Sequence, residues 1–418
     1  MIKKIIISAC LLFSLVSFSQ EGTSSPYSFY GIGDVRFKGA LENRSMGGLS
    51  IAPDSIHINL QNPAGYANLK LTTFTMGGSR NSTKLKTDTE SAKTQRTTLD
   101  YLALGLPFGK FGAGFGLIPY SSVGYKINHE PATADLSQSY KRFDGKGGLN
   151  KVFLGLGYKL LPNLSIGADA HYNFGKIETN NLEFVPYVPV GSSELNTADL
   201  SGVNFDIGMM YQAKINKKLT FYSSANYSPE SVLTSNNTRN ISTVIYNSSF
   251  DVTVVDELEN IISKNNLKLP SKLALGAGFG NSGKWLLGGE VTFKDKGNLA
   301  SSYNNVSNVT YEKSQKYSVG GYFIPNPKSF SSYVQRIVYR GGFKYEKTGL
   351  VINSQSINDI GLTLGVGLPI SGSFSNINIG FELGKKGTTT AGLVQENYAN
   401  LNVSFSLNDK WFRKSKFD

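Results

Sequence analysis

Residues 164–174, LSIGADAHYNF, alternate without a break. Leu164, Ile166, Ala168, Ala170, Tyr172 and Phe174 fall on one side, and Ser165, Gly167, Asp169, His171 and Asn173 on the other. Successive side chains of a strand point to opposite faces, so this stretch reads as a β-strand with one apolar face and one wet face. The same division returns at Ile360/Leu362/Leu364/Val366/Leu368 against Gly361/Thr363/Gly365/Gly367, and at Leu401/Val403/Phe405/Leu407 against Asn402/Ser404/Ser406. The polar rows carry Asp169, Asn204, Asp206, Glu290, Asn378 and Glu382 among many glycines. In a water-soluble barrel the apolar rows would face inward. Polar rows of this content fit a transmembrane antiparallel β-barrel, with an apolar band toward lipid and a hydrated lumen.

Outward from that stretch, strands start near Leu69, Arg96, Phe111, Leu149, Leu164, Ser201, Leu219, Lys272, Trp285, Ser314, Val334, Ser356, Phe374 and Val394. That is about 14, an even number as in single-chain bacterial barrels. Tight links at Phe108-Gly109-Lys110, Pro162-Asn163, Asn216-Lys217, Ser282-Gly283 and Ile370-Ser371-Gly372 alternate with long polar links. The long ones cover 81–95, 127–148, 179–200, 229–270, 297–313 and 347–355. Short periplasmic turns and long outer loops are the pattern of such barrels. The link 326–333 reads as a longer periplasmic turn. Within 229–270, Val255, Leu258, Ile261 and Ile262 recur at helical spacing beside Asp256, Glu257 and Glu259, which predicts a short amphipathic helix. An extra hairpin over 241–254 is the alternative, and it would raise the strand count.

The first residues, MIKKIIISACLLFSLVSFSQ, have the parts of a secretory signal: Lys3 and Lys4, an apolar core from Ile5 to Val16, and Ser17-Phe18-Ser19 before Gln20. Only Ile5 to Ile7 precede Ile7-Ser8-Ala9-Cys10 as apolar core, too short for a lipoprotein box. Cys10 is the only cysteine. The expected mature chain therefore has no disulfide, thiol nucleophile or thiolate metal site. No later run reaches the roughly 18 apolar residues of a spanning helix. From Gln20 to Leu69 the chain is rich in Gly, Ser and Asn, yet holds Tyr27, Phe29, Tyr30, Phe37 and Met46, so a folded hatch is expected there. Asn62, Pro63 and Ala64 form turn chemistry at its end, because proline fixes φ and removes a backbone donor. The expected organisation is signal peptide 1–19, hatch 20–68, transmembrane barrel 69–408 and tail 409–418, where Trp411 and Phe412 suit an interfacial girdle. The expected location is the outer membrane.

Composition agrees with a barrel: 17% charged residues, 45 Gly, 25 Phe and 22 Tyr leave few blocks of helix formers. The net charge of +12 is scattered along the chain. Anionic lipid and lipopolysaccharide phosphate are its natural counter-charges, and nucleic acid is not an expected partner.

Motifs that carry chemistry are scarce. Gly278-Phe279-Gly280-Asn281-Ser282-Gly283 matches a dinucleotide fingerprint in letters, but it lies on a hairpin turn with no helix to follow. His57, His129 and His171 share no metal-ligand spacing, so neither metal nor cofactor is expected. No Ser-His or calcium-binding constellation is visible, and catalysis is not expected. The candidate site residues are the turn Asn62, Pro63 and Ala64 and a polar lumen lining of Asp169, His171, Asp206, Glu290, Arg340 and Glu382. The carboxylates Asp206, Glu290 and Glu382 are expected to pair with Arg336, Arg340 or Lys344, pinning the hatch.

Gly47-Gly48, the approach from Asp54 to Asn59 and the Asn62-Pro63-Ala64 triplet together resemble the start of FadL-like outer-membrane transport proteins. The likeness extends through the strand count and the order of loops. It implies an N-terminal hatch inside the barrel and transport of hydrophobic small molecules, caught between outer loops and released by hatch movement or a gap in the wall. Such capture needs an exposed apolar groove. Loop 127–148 is almost wholly polar, 179–200 offers only Leu182, Phe184, Val185, Val188 and Val190, and 229–270 is the apolar one. Relatives of the fold, such as the shuttle-type barrel of the type IX secretion system, serve instead as subunits of large outer-membrane machines. A non-catalytic accessory subunit of a secretion or barrel-assembly complex, bound to other outer-membrane proteins, is therefore the alternative function.

Overall fold

Alternating rows fix which way each strand faces, and the turns between them fix how many strands the wall contains. A computed structural model describes residues 22–129, 139–247, 251–281, 283–297 and 308–410. The expected signal segment with Cys10, and Trp411 and Phe412 of the expected girdle, lie outside the described residues. In chain order the strands are β1 (Asp34–Val35), β2 (Thr72–Lys86), β3 (Ser91–Phe108), β4 (Phe111–His129), β5 (Tyr140–Leu161) and β6 (Leu164–Phe184). Next come β7 (Gly191–Lys214), β8 (Thr220–Ser228), β9 (Ser231–Tyr246), β10 (Val252–Leu269), β11 (Lys272–Asn281) and β12 (Trp285–Lys294). The last are β13 (Val309–Tyr311), β14 (Ser314–Phe323), β15 (Val338–Ile352), β16 (Gln355–Pro369), β17 (Asn376–Lys386) and β18 (Gln395–Asp409).

The wall runs from β2 through β8, then β11, β12, β14 and β15 through β18. It closes where β18 pairs with β2, from Gln395 opposite Lys86 to Asp409 opposite Thr72. The result is a closed antiparallel barrel of 14 strands. The alternation of 164–174 holds: Ile166 and Tyr172 are 40% and 52% exposed on the outer surface, while Ser165, Asp169, His171 and Asn173 are buried on the lumen side. Leu362 and Leu364 likewise face out, with Thr363 between them buried. Short links such as 109–110, 162–163 and 370–375 gather at one end. At the other end the strands run on: β5, β6 and β7 have 22, 21 and 24 residues, about twice the ~9–11 that cross a bilayer.

That extension corrects four of the expected loops, 127–148 among them, where β4 runs on to His129 and β5 already begins at Tyr140. Links 81–95, 179–200 and 347–355 shrink to 87–90, 185–190 and 353–354, because their polar residues continue the ladders into water. The amphipathic helix is also overturned. Val255, Leu258, Ile261 and Ile262 lie on β10, which pairs with β9 from Val252 opposite Tyr246 to Leu269 opposite Ser231. The runs ISTVI (241–245) and VTVV (252–255) are rich in β-branched residues, and each finds the other as partner strand, with the Asn247 N–H donating to the Asp251 carbonyl at 2.9 Å beyond them. Register shifts at Val254/Asp256 and Glu257/Glu259 rotate the apolar positions, which is how their spacing comes to imitate a helix. The hairpin is wider than the alternative over 241–254. It leaves the wall count unchanged, because β8 pairs directly with β11 while β9 pairs with the outer part of β7.

Candidate functional site

The lumen is occupied by the chain's own N-terminal segment, residues 22–71, and the contacts between the two make up the site. Asn62 caps a 3-10 turn over Pro63–Asn68, its Oδ1 accepting from the Ala64 N–H at 3.0 Å. Its Nδ2 donates to the carbonyls of Met209 on β7 and Ala225 on β8, at 3.2 and 3.1 Å. The turn fits because the wall is glycine where it touches. A Cβ at Gly208 would sit 2.0 Å from Asn62 Oδ1, and one at Gly112 would sit 1.9 Å from the Tyr66 carbonyl oxygen. Tyr66 is fully buried and donates to Asp169 Oδ2 at 3.3 Å, and Asn68 reaches Ser165 Oγ at 3.1 Å. Asn62, Pro63 and Ala64 are thus a docking turn.

Further along the lumen, one helical turn, Leu41–Arg44, presents charge to the wall. Arg44 Nε meets Glu382 Oε2 at 2.9 Å, and its Nη1 meets Asp100 Oδ2 at 3.2 Å. Glu382 Oε1 also takes Lys344 Nζ at 2.6 Å, and Lys344 reaches Asp359 at 3.2 Å. Glu42 accepts from Asn378 Nδ2 at 2.8 Å, and Asn378 Oδ1 accepts from Arg340 Nη1 at 3.0 Å. Glu290 Oε2 accepts from the Ser50 N–H and hydroxyl at 3.0 and 3.1 Å. His57 lies between Asp54, 2.8 Å from Nδ1, and Glu42, 3.6 Å from Nε2. Burial opposes the imidazolium, but Asp54 and Glu42 outweigh it, so the His57 pKa is raised above the usual histidine value.

All six expected lining residues are buried in the lumen. Asp169 lies near His171, 3.7 Å from Nε2, and His171 Nδ1 is 3.0 Å from Asn204 Nδ2. The expected cation pairing holds only for Glu382 with Lys344. Asp206 pairs with Lys272 at 3.8 Å, Glu290 turns to Ser50, and Arg340 reaches across Gly367 to Asn378. Arg336 sits in the 3-10 turn Val334–Arg336, its guanidinium 5.3 Å from the Tyr333 ring centroid. Nearest-strand neighbours and the N-terminal segment win because lumen side chains are short compared with the barrel's width. Arg36, Arg44 and Ser50 carry much of the fastening, and polar composition alone does not distinguish them from residues of a loose tail.

The wall itself is split at one place. β3 and β4 pair only from Leu102/Leu117 down to Phe108/Phe111. Above that, β4 bends at Pro119 with a register shift and gives its edge to β1, Asp34 opposite Ser122 and Val35 opposite Ser121. Arg36 spans the split, with Nε on Ser122 Oγ and Nη1 on Thr98 Oγ1, both at 2.8 Å. A cavity of about 320 Å³ lies behind it, lined by charged residues such as Arg36, Arg44, Asp100 and Glu382 and by apolar or aromatic ones such as Ile32 and Tyr30.

A closed barrel of this strand number, apolar outside and contacted from within by its own N-terminal segment, has the FadL-like barrel fold. Among solved structures, the Ralstonia pickettii toluene transporter TbuX matches with a TM-score of 0.60 at 15% identity, covering 89% of this chain and 99% of that one. The Pseudomonas putida toluene transporter TodX gives 0.58 at 15%, covering 90% and 98%. A Pseudomonas aeruginosa FadL homologue gives 0.59 at 12%, covering 90% and 98%. At these identities the likeness is one of fold. Comparison with curated proteins returned no match. The chain belongs to the BamG family, whose family model matches residues 1–418.

Proposed function

We propose that this protein is a non-catalytic accessory subunit of a multiprotein outer-membrane machine, with membership of the BamG family favouring a barrel-assembly complex. One observation carries the reading: the N-terminal segment is fastened to the inner wall at Asn62, Arg44 and Ser50, and charged groups crowd the cavity beside it. A hydrophobic cargo would have to break the Arg44–Glu382–Lys344 network to pass through the lumen. A fixed barrel with long outer strands and the β9–β10 hairpin offers surface to partners. The test is affinity purification of the tagged protein in mild detergent. Other outer-membrane proteins at stoichiometric yield support the reading, and a lone barrel holding lipid-like density between hatch and outer loops refutes it.

The split between β3 and β4 favours a second reading, hatch-gated transport of hydrophobic small molecules through the wall. In that case withdrawal of Asp34–Arg36 opens the route. A deletion strain whose uptake of long-chain fatty acids and toluene is unchanged counts against it.

A further inference from the structure

A second chamber of about 140 Å³ lies in the outward half of the lumen, away from the docking turn. It is framed by Val35, Lys38 and Tyr120 and by the outer ends of β8, β11, β12 and β14. Four lysines line it: Lys38, Lys151, Lys272 and Lys294. Lys294 has Glu346 at 3.2 Å, and Lys272 has Asp206 at 3.8 Å. Of the other acids in the lining, Asp295 is held by Lys313 at 3.0 Å, and Glu312 is exposed at the rim. Among the described residues, Lys38 and Lys151 are in ion-pair contact with no carboxylate. Lys38 Nζ rests 3.6 Å from the Tyr120 ring centroid, and Lys151 is buried.

A buried ammonium without a counter-charge is costly, and several together repel one another. Lys38, which lies on the N-terminal segment, shows the strain: burial, and then Lys151, Lys272 and Lys294, push its pKa well below the usual lysine value, and Asp206 offsets only part of this. The hydroxyls of Ser231 and Ser314 line the same chamber, buried and without a hydrogen-bond partner. Ammonium groups and idle hydroxyls around a polar space are a donor set in want of an acceptor with several oxygens.

We propose that this chamber is an anion-binding site for phosphate, free or as the ester of a headgroup. Its oxygens accept hydrogen bonds from the amino groups of Lys38 and Lys151 and the hydroxyls of Ser231 and Ser314. The bound anion ties the N-terminal segment to β5, β9 and β14.

The full-length protein, purified in dodecyl maltoside without phosphate, is titrated with inorganic phosphate at constant ionic strength, with chloride as the balancing ion. Saturable binding is expected. The variant Lys38→Gln/Lys151→Gln should raise the half-saturating concentration about tenfold or more, because charge-assisted contacts are lost. Ser314→Ala leaves every charge in place and should raise it severalfold; heat-modifiable gel mobility confirms that each variant is folded. Tighter binding of glycerol 3-phosphate than of inorganic phosphate assigns the site to a headgroup, and weaker binding assigns it to the free ion. Absence of saturation beyond the chloride control overturns the proposal, as does an unchanged half-saturation in both variants.

Discussion

Glu382→Gln keeps the shape of a side chain 4% exposed and removes only its charge. In the native lumen that carboxylate serves Arg44 at 2.9 Å and Lys344 at 2.6 Å, both cations with side chains 18% exposed. Arg44 retains Asp100 and Lys344 retains Asp359, each at 3.2 Å, so neither cation is stranded. The loss is therefore set at the low end of the range for breaking a buried pair, about 3 kcal/mol. The wall holds, because the β16–β17 and β17–β18 ladders are made by backbone groups. The loss falls on the docking of Leu41–Leu49, whose opening should become about a hundredfold more frequent. Amide hydrogen exchange read by mass spectrometry over 41–49 measures this directly. Glu290→Gln is the comparison: its side-chain oxygen still accepts from Ser50, so the cost should be about 1 kcal/mol. Unchanged exchange over 41–49 in Glu382→Gln, or a larger effect from Glu290→Gln, would show that charge does not hold the segment.

Gly208→Val places a Cβ 2.0 Å from Asn62 Oδ1. It should expel the docking turn from a still-closed barrel, seen as new protease cleavage within 41–68. Gly289→Ala, whose nearest neighbour is 3.5 Å away, should be silent in the same digest. Deleting the β9–β10 hairpin and joining Pro229 to Pro270 should leave a heat-modifiable barrel, because β8 and β11 already pair from Thr220/Gly280 to Ser228/Lys272; loss of folding would contradict the wall order. His57, with its pKa raised in the folded state, adds stability that is fully present below the unfolded value of about 6.5 and is lost as pH rises through the folded one. The protection at 54–57 that wild type has over His57→Gln should therefore be largest near pH 6 and shrink as pH rises; the opposite trend refutes the pairing with Asp54 and Glu42.

Much of the wall was legible in the sequence. The period of two at 164–174, 360–368 and 401–407 told outward from inward residues, and Gly, Pro and Asn turns marked each reversal at the short end. The outer end was harder, because polar residues there serve equally as loop or as strand in water, and the longer β5, β6 and β7 follow from their pairing partners. The β9–β10 hairpin shows the limit: apolar residues four and three apart describe a helix until two register shifts and a partner strand are known.

The candidate site divides the same way. That Asn62-Pro63-Ala64 is a turn, and that Asp169, His171, Asp206, Glu290, Arg340 and Glu382 face the lumen, was fixed locally by backbone chemistry and strand phase. Which groups meet was not local: Arg44 finds Glu382 across 338 residues of chain, and Asn62 finds Met209 across 147. Such pairings depend on how the wall is staggered when it closes, and on where glycines leave room for the N-terminal segment. No window of sequence contains that geometry; only the folded barrel does.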